Sequence, residues 1–155
     1  MAVLDFAGFV AGIKDHASDH AFHITDERHF VETYSMRQAF EVELHPENAC
    51  GGPLNLHLSL DIEPRTLMAF EDEVVALSED LEPSDDLTVP LIFSWTLPPL
   101  SCNPDLLVLA TDLAGIGGLE FPMEISAMDS FASVTDPPQH SLIVTARLEI
   151  PLSVI

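Results

Sequence analysis

From Pro53 to Ile62 the chain alternates without a fault. Leu54, Leu56, Leu58, Leu60 and Ile62 take every second place, with Asn55, His57, Ser59 and Asp61 between them. Successive strand residues point to opposite faces, so this run predicts a strand with one dry face and one wet face. It also favours an antiparallel sheet, because parallel strands buried on both faces do not alternate. Whatever else the chain forms must cover the dry face and leave the other to water.

The same period recurs. Phe40, Val42 and Leu44 alternate with Glu41, Glu43 and His45, and the run ends at Pro46-Glu47-Asn48 and Gly51-Gly52. Val89, Leu91, Phe93, Trp95 and Leu97 form a third run, in which Pro90 points to an edge or a strand start. Leu106 to Thr111 is short and apolar on both faces and predicts a central strand. Leu119, Phe121, Met123 and Ile125 alternate with Glu120, Pro122, Glu124 and Ser126. Leu142, Val144, Ala146, Leu148, Ile150, Leu152 and Val154 make one long dry face, with Pro151 marking an edge near its end.

Helical spacing is confined to shorter stretches. Phe6, Phe9, Val10, Ile13 and Ala17 predict a helix over residues 4–17, with Asp5 as its cap and Gly8 and Gly12 as weak points. Residues 26–34 read as a second helical turn after Thr25. Leu67, Phe70, Val74, Leu77 and Leu81 step by three and four, which predicts a helix over 66–81 capped by Thr66. The expected architecture is one domain over residues 1–155. It is mainly β, an antiparallel β-sandwich or a strongly curved sheet with an N-terminal helix and one further helix, with α+β as the alternative.

Charge narrows the functional classes. The chain has 155 residues with 26 acidic and 5 basic side chains, a net charge of −21, yet 47% of it is hydrophobic. Disorder pairs high charge with low hydrophobicity, so the acidity belongs to a folded surface. Nucleic acid requires a basic footprint, and an anionic membrane repels a surface of this sign. The opening residues carry Asp5 and a single lysine, Lys14, unlike a secretory signal. Cys50 and Cys102 belong to no CxxC pair, and two free thiols fit a cytoplasmic location better than a bridge does.

Four constellations bear on chemistry. His16, His20 and His23 are spaced by four and three, so a continuous helix would place them on one face as weak candidates for a metal site. No HExxH or cysteine pair completes such a site, and the bland reading is a polar helix end. Gly115-Ile116-Gly117-Gly118 follows an apolar run, but the next residues read as a strand, so a hairpin-type connection is expected rather than a phosphate loop. Residues 61–86 hold ten acids against Arg65 alone, without the DxDxDG register of a calcium loop. Ser141 follows His140, but neighbours on a strand face opposite ways, and no GxSxG is present.

These observations lead to an expectation of a non-enzymatic, strongly acidic binding or regulatory module, an adaptor that recognises a basic protein, with no cofactor. Glu79, Asp80, Glu82, Asp85 and Asp86 are the expected partner-binding residues. The alternatives are a structural subunit of a larger assembly, with self-association, a nucleic-acid-mimicking inhibitor, and a metal-dependent enzyme. The closing run Pro151-Leu152-Ser153-Val154-Ile155 is too apolar to fray into water and is expected to be buried in the domain or against another chain.

Overall fold

A computed structural model describes residues 4–49, 52, 54–78 and 81–155. Six antiparallel strands form one sheet in the order β1-β2-β3-β4-β6-β5, where β1 is Phe22–Val31, β2 Gln38–Pro46, β3 Asn55–Ile62, β4 Thr88–Thr96, β5 Met123–Ser130 and β6 Gln139–Pro151. Three helices accompany it: α1 Phe6–Asp19, α2 Pro64–Ala76 and α3 Leu106–Gly117. The chain is therefore mainly β, with an N-terminal helix. A single sheet forms instead of a sandwich, because helices rather than a second sheet cover its dry face.

The core follows from the alternation. Leu56, Leu58, Leu60 and Ile62 of β3 are all buried. Register brings Val42 and Leu44 of β2 beside Leu58 and Leu56, and Leu91 of β4 beside Leu60. Phe6 and Val10 of α1 and Phe70 of α2 pack onto this face. The half-buried residues of α1 are Phe9, Ile13, Lys14 and Ala17, so the predicted apolar stripe meets the sheet. Asp5 caps α1 by accepting a hydrogen bond from the Gly8 amide at 2.8 Å. A Cβ on Gly8 would lie 2.2 Å from that carboxylate, so the glycine leaves room for the cap.

Three stretches depart from expectation. Residues 26–34 are not a helical turn, for Phe22–Val31 is an edge strand paired along β2. Thr25 is the extra residue of a bulge between Ile24 and Asp26. The bulge reverses the phase of the strand: Ile24 lies opposite Leu44 on the core face, and beyond it Glu27 and His29 take that face opposite Val42 and Phe40. Leu106–Thr111 is not a central strand but the first half of α3. The Asp105 carboxylate accepts from the Leu107 and Val108 amides, which nucleates a helix where composition alone suggested β structure. The glycines at 115–118 consequently end a helix rather than make a hairpin, with Gly118 at φ +63° and ψ −156°, a conformation essentially confined to glycine.

The third departure is in α2, which starts at Pro64 and ends at Ala76. Proline at the first helical position fixes the start two residues before Thr66, and the helix ends where Leu77 turns extended. Glu63, not Thr66, occupies the cap position, and it makes no side-chain cap bond.

Two of the strand prolines, Pro90 and Pro151, sit at local edges. Pro90 pairs with Glu149 of β6 at a level that β3, whose pairing with β4 stops at Leu91, does not reach. Pro151 pairs with Thr88, beyond the last β5–β6 pair at Ala146. Each missing amide thus falls where one neighbouring strand has ended. Past Pro151, Leu152 enters the core and Ile155 packs against it, whereas Val154 is exposed. The Leu152 amide donates to the Leu87 carbonyl, and the Leu152 side chain is 1% exposed. Leu152→Ala is expected to destabilise the fold by about 2–5 kcal/mol in urea unfolding, the range for a fully buried leucine. A change below about 0.5 kcal/mol would show that the segment lies outside the cooperative core.

Candidate partner surface

With α1 and α2 on one face, the other face of the sheet is left to polar side chains. Across β1, β2 and β3 it carries Asp26 and Arg28, then Glu41, Glu43 and His45, then His57, Ser59 and Asp61, placed together by register. Asp26 lies directly opposite Glu43, a like-charge pair that disfavours the strand pairing unless something compensates. Arg28 compensates, holding Asp26 through both Nε at 2.9 Å and a guanidinium NH2 at 2.6 Å. Glu43 in turn meets His57 Nδ1 at 2.6 Å. The hydrogen bond to Asp26 raises the Arg28 pKa above its ordinary value.

The scarce cations are consumed within the fold. Lys14 of α1 pairs with Glu27 of β1, Arg28 with Asp26, Arg37 with Asp61, and Arg147 with Glu149. Four of the five basic side chains are thus committed, in a chain with 26 acids. The described residues include no buried charged side chain, so their acids stand at or near the surface.

The expected partner-binding segment divides. Glu79 and Asp80 lie outside the described residues. Glu82, Asp85 and Asp86 are exposed in the connection from α2 to β4. This connection is held at two points. The Ser84 amide donates to Glu73 of α2 at 2.7 Å, and Ser153 near the C-terminus donates to Asp85. The acids are therefore presented on a loop tied to two neighbouring segments.

The histidines are not gathered. His16 and His20 lie with tilted rings at the end of α1, their centroids 4.1 Å apart, and His20 Nδ1 lies 2.8 Å from the His16 carbonyl oxygen. The chain then turns through Ala21 at φ +63°, and His23 belongs to β1, edge-on to His45 and 3.3 Å from Glu47. The helix ends before His23, so the spacing of four and three does not become one face. Among the described residues no three histidine, cysteine, aspartate or glutamate side chains converge in a way that would hold a metal ion. His140 and Ser141 face opposite ways: His140 meets Asp129, and Ser141 donates to the Met128 carbonyl at 3.4 Å. Cys102 is an exposed free thiol, and Cys50 lies outside the described residues.

Two hollows border the charged region. One of about 180 Å³ lies between α1 and the first two strands, lined among others by Lys14, Glu27, Arg28 and Glu41. A wider depression of about 480 Å³ lies at the β1–β2 turn and the start of α2, where Glu32, Arg37, Glu63 and Arg65 meet. No helix among the described residues is long and apolar enough to cross a membrane. Family models, curated protein sequences and solved structures contain no match to the chain.

The sequence pattern did not reveal β1, and with it the Asp26–Arg28 and Lys14–Glu27 pairs. The available signal was the unbroken run from Phe22 to Val31 without glycine or proline. Arg37 and Asp61 give this surface a measurable pH response. The hydrogen bond from Arg37 holds the Asp61 carboxyl below its usual range, outweighing partial burial, which acts the other way, with the Arg37 charge and the Ile62 backbone adding to the lowering. A depressed folded value means that Asp61 adds stability above its unfolded pKa of about 3.9, which is lost as pH falls through the folded value. Asp61→Asn is therefore expected to lower the melting temperature at about pH 7 and to flatten its decline below about pH 4. Equal acid sensitivity in variant and parent would show that the pair does not contribute.

Proposed function

We propose that this protein is a non-enzymatic binding or regulatory module whose acidic surface recognises a basic protein. The observation that carries this reading is the internal pairing of four of the five cations, which leaves the excess acids of a −21 chain facing outward. A field of one sign raises the encounter rate with an opposite surface and repels nucleic acid and anionic lipid. The tethered loop carrying Glu82, Asp85 and Asp86 supports a fixed rather than diffuse acidic contact. The reading includes a cytoplasmic location, in keeping with the free thiol of Cys102.

A second reading, a structural subunit, is favoured by one observation: the apolar helix α3 contains no buried residue.

The test of the first reading is the kinetics of a captured basic partner against salt. Association is expected to slow steeply as ionic strength rises, because exposed charges are screened over about 8–10 Å at 0.1–0.15 M. Replacing Asp80, Glu82, Asp85 and Asp86 together by Ser or Asn is expected to lower the on-rate on the order of tenfold, with a smaller change in off-rate. Salt-insensitive binding would overturn the reading.

A further inference from the structure

The two edges of the sheet differ in what they allow. The β1 edge carries Asp26, Glu27 and Arg28 in succession and a bulge at Thr25, features that block pairing with another strand. The β5 edge has neither. Between Glu124 and Asp129 it presents Ile125-Ser126-Ala127-Met128, four neutral residues in regular pairing with β6 on one side only. An edge of this kind exposes backbone donors and acceptors that a further strand would satisfy.

Beside it lies a helix that the fold leaves uncovered. α3 runs antiparallel along β5: Leu106 lies at the Ala127–Asp129 end, and Gly117 reaches Met123 and Phe121 at the other. Only Leu109, Ala110, Leu113 and Gly117 are half-buried. Leu107 is 77% exposed, Ile116 79% and Leu119 fully exposed, and Met128 and Phe131 on or just after β5 are exposed too. A helix apolar on all sides is ordinarily a buried one, and a helix of twelve residues depends on packing for its stability.

We propose that a second copy of the chain occupies this place, pairing antiparallel with β5 across a two-fold axis to join the two sheets into one of twelve strands, with the two α3 helices meeting beside the joint. Charge selects the occupant. Two chains of −21 repel wherever acids are dense, but residues 106–119 carry a single acid, Asp112. A copy supplies a neutral strand edge and an apolar helix together, whereas a basic partner would gain little from either. The helix and strand together have about the 20–30 residues that a stable interface uses on each side.

Strand geometry restricts the register. With the axis perpendicular to the sheet, directly opposed residues must share a face, so the sum of their numbers is even. Any residue of β5 can then lie on the axis, and centring the joint within the four neutral residues 125–128 puts it at Ser126 or at Ala127. Centred on Ser126, Glu124 opposes Met128 of the copy and Ile125 opposes Ala127. Centred on Ala127, Glu124 opposes Ser130 and Ile125 opposes Asp129. Neither register sets Glu124 against Asp129 or either acid against itself.

The full chain is expected to show twice its 16.9 kDa mass by light scattering, and to dimerise more tightly as salt rises, the reverse of binding to a basic partner. Leu107→Glu with Ile116→Glu changes exposed side chains only and is expected to give a monomer with an unchanged circular dichroism spectrum. In a background with Cys50→Ser and Cys102→Ser, either Ser126→Cys or Ala127→Cys should cross-link under mild oxidation, since opposed strand residues lie within disulfide reach. Thr25→Cys on the β1 edge should not. A parent chain monomeric at all accessible concentrations would overturn the proposal. So would a dimer that cross-links at neither β5 position. The proposal does not rest on the recognition of a basic protein, and the opposite salt responses separate the failure of one from that of the other.

Discussion

One dry face and one wet face on a single sheet is the constraint from which the rest of this structure follows. β3 is buried at Leu56, Leu58, Leu60 and Ile62 and half-open or exposed at every residue between them. Its neighbours must match that phase, because a slip of one residue would turn each apolar row to water. Helices α1 and α2 then have one place to go. Phe6, Val10 and Phe70 close the dry face, and the wet face is left for Glu41, Glu43, His57 and Asp61. The acidic character of the protein is thus compatible with a large apolar fraction because the two are sorted by strand period.

The phase rule also explains what had to be repaired at β1. Its core-facing residues change phase along the strand: Phe22 and Ile24 before the bulge, Glu27 and His29 beyond it. A regular strand would place Glu27 on the wet face beside Asp26's neighbours and lift Ile24 or His29 out of contact. The extra residue Thr25 shifts the phase, and Glu27 then meets Lys14 of α1 while His29 stacks on Phe40 at 4.0 Å. The chain's only lysine therefore joins the first helix to the edge strand.

Most of the sheet was legible because period-two burial is written directly in β2, β3, β4 and β6. α1 was legible for the corresponding helical reason, and the local edges at Pro90 and Pro151 followed from the missing amide. Two elements were not. β1 is too charged to show alternation, and its pairing is decided by β2, a long-range partner invisible to a local pattern. α3 is so uniformly apolar that neither period stands out. Its helix was marked only at the ends, by Asp105 and by Gly117-Gly118. The histidine spacing was conditional on a continuous helix, and α1 ends at Asp19 before Ala21 turns the chain, so His23 falls on β1. The acidic loop at 82–86 was recognisable by composition although its ties to Glu73 and Ser153 were not.

The same uniformity that hides α3 from pattern reading bears on how a chain so acidic can associate at all. Net charge is a poor guide to this, because at about 0.15 M salt a charge is felt over roughly 8 Å. What matters is the charge within that distance of the contact. Near β2 and β3 it is dense: Glu41, Glu43 and Asp61 stand on adjacent strands, and the cations that would offset them are already paired. Along α3 the next acids beyond Asp112 are Asp105 and Glu120, at the two ends of the segment. A helix of twelve residues spans about 18 Å, about twice the screening length, so the acids at its two ends scarcely reinforce each other and Asp112 is the single acid along its length. The fold therefore separates two kinds of surface that would otherwise interfere. One side attracts cations through a field that salt weakens. The other is apolar, and a contact made there would gain from the salt that weakens the first.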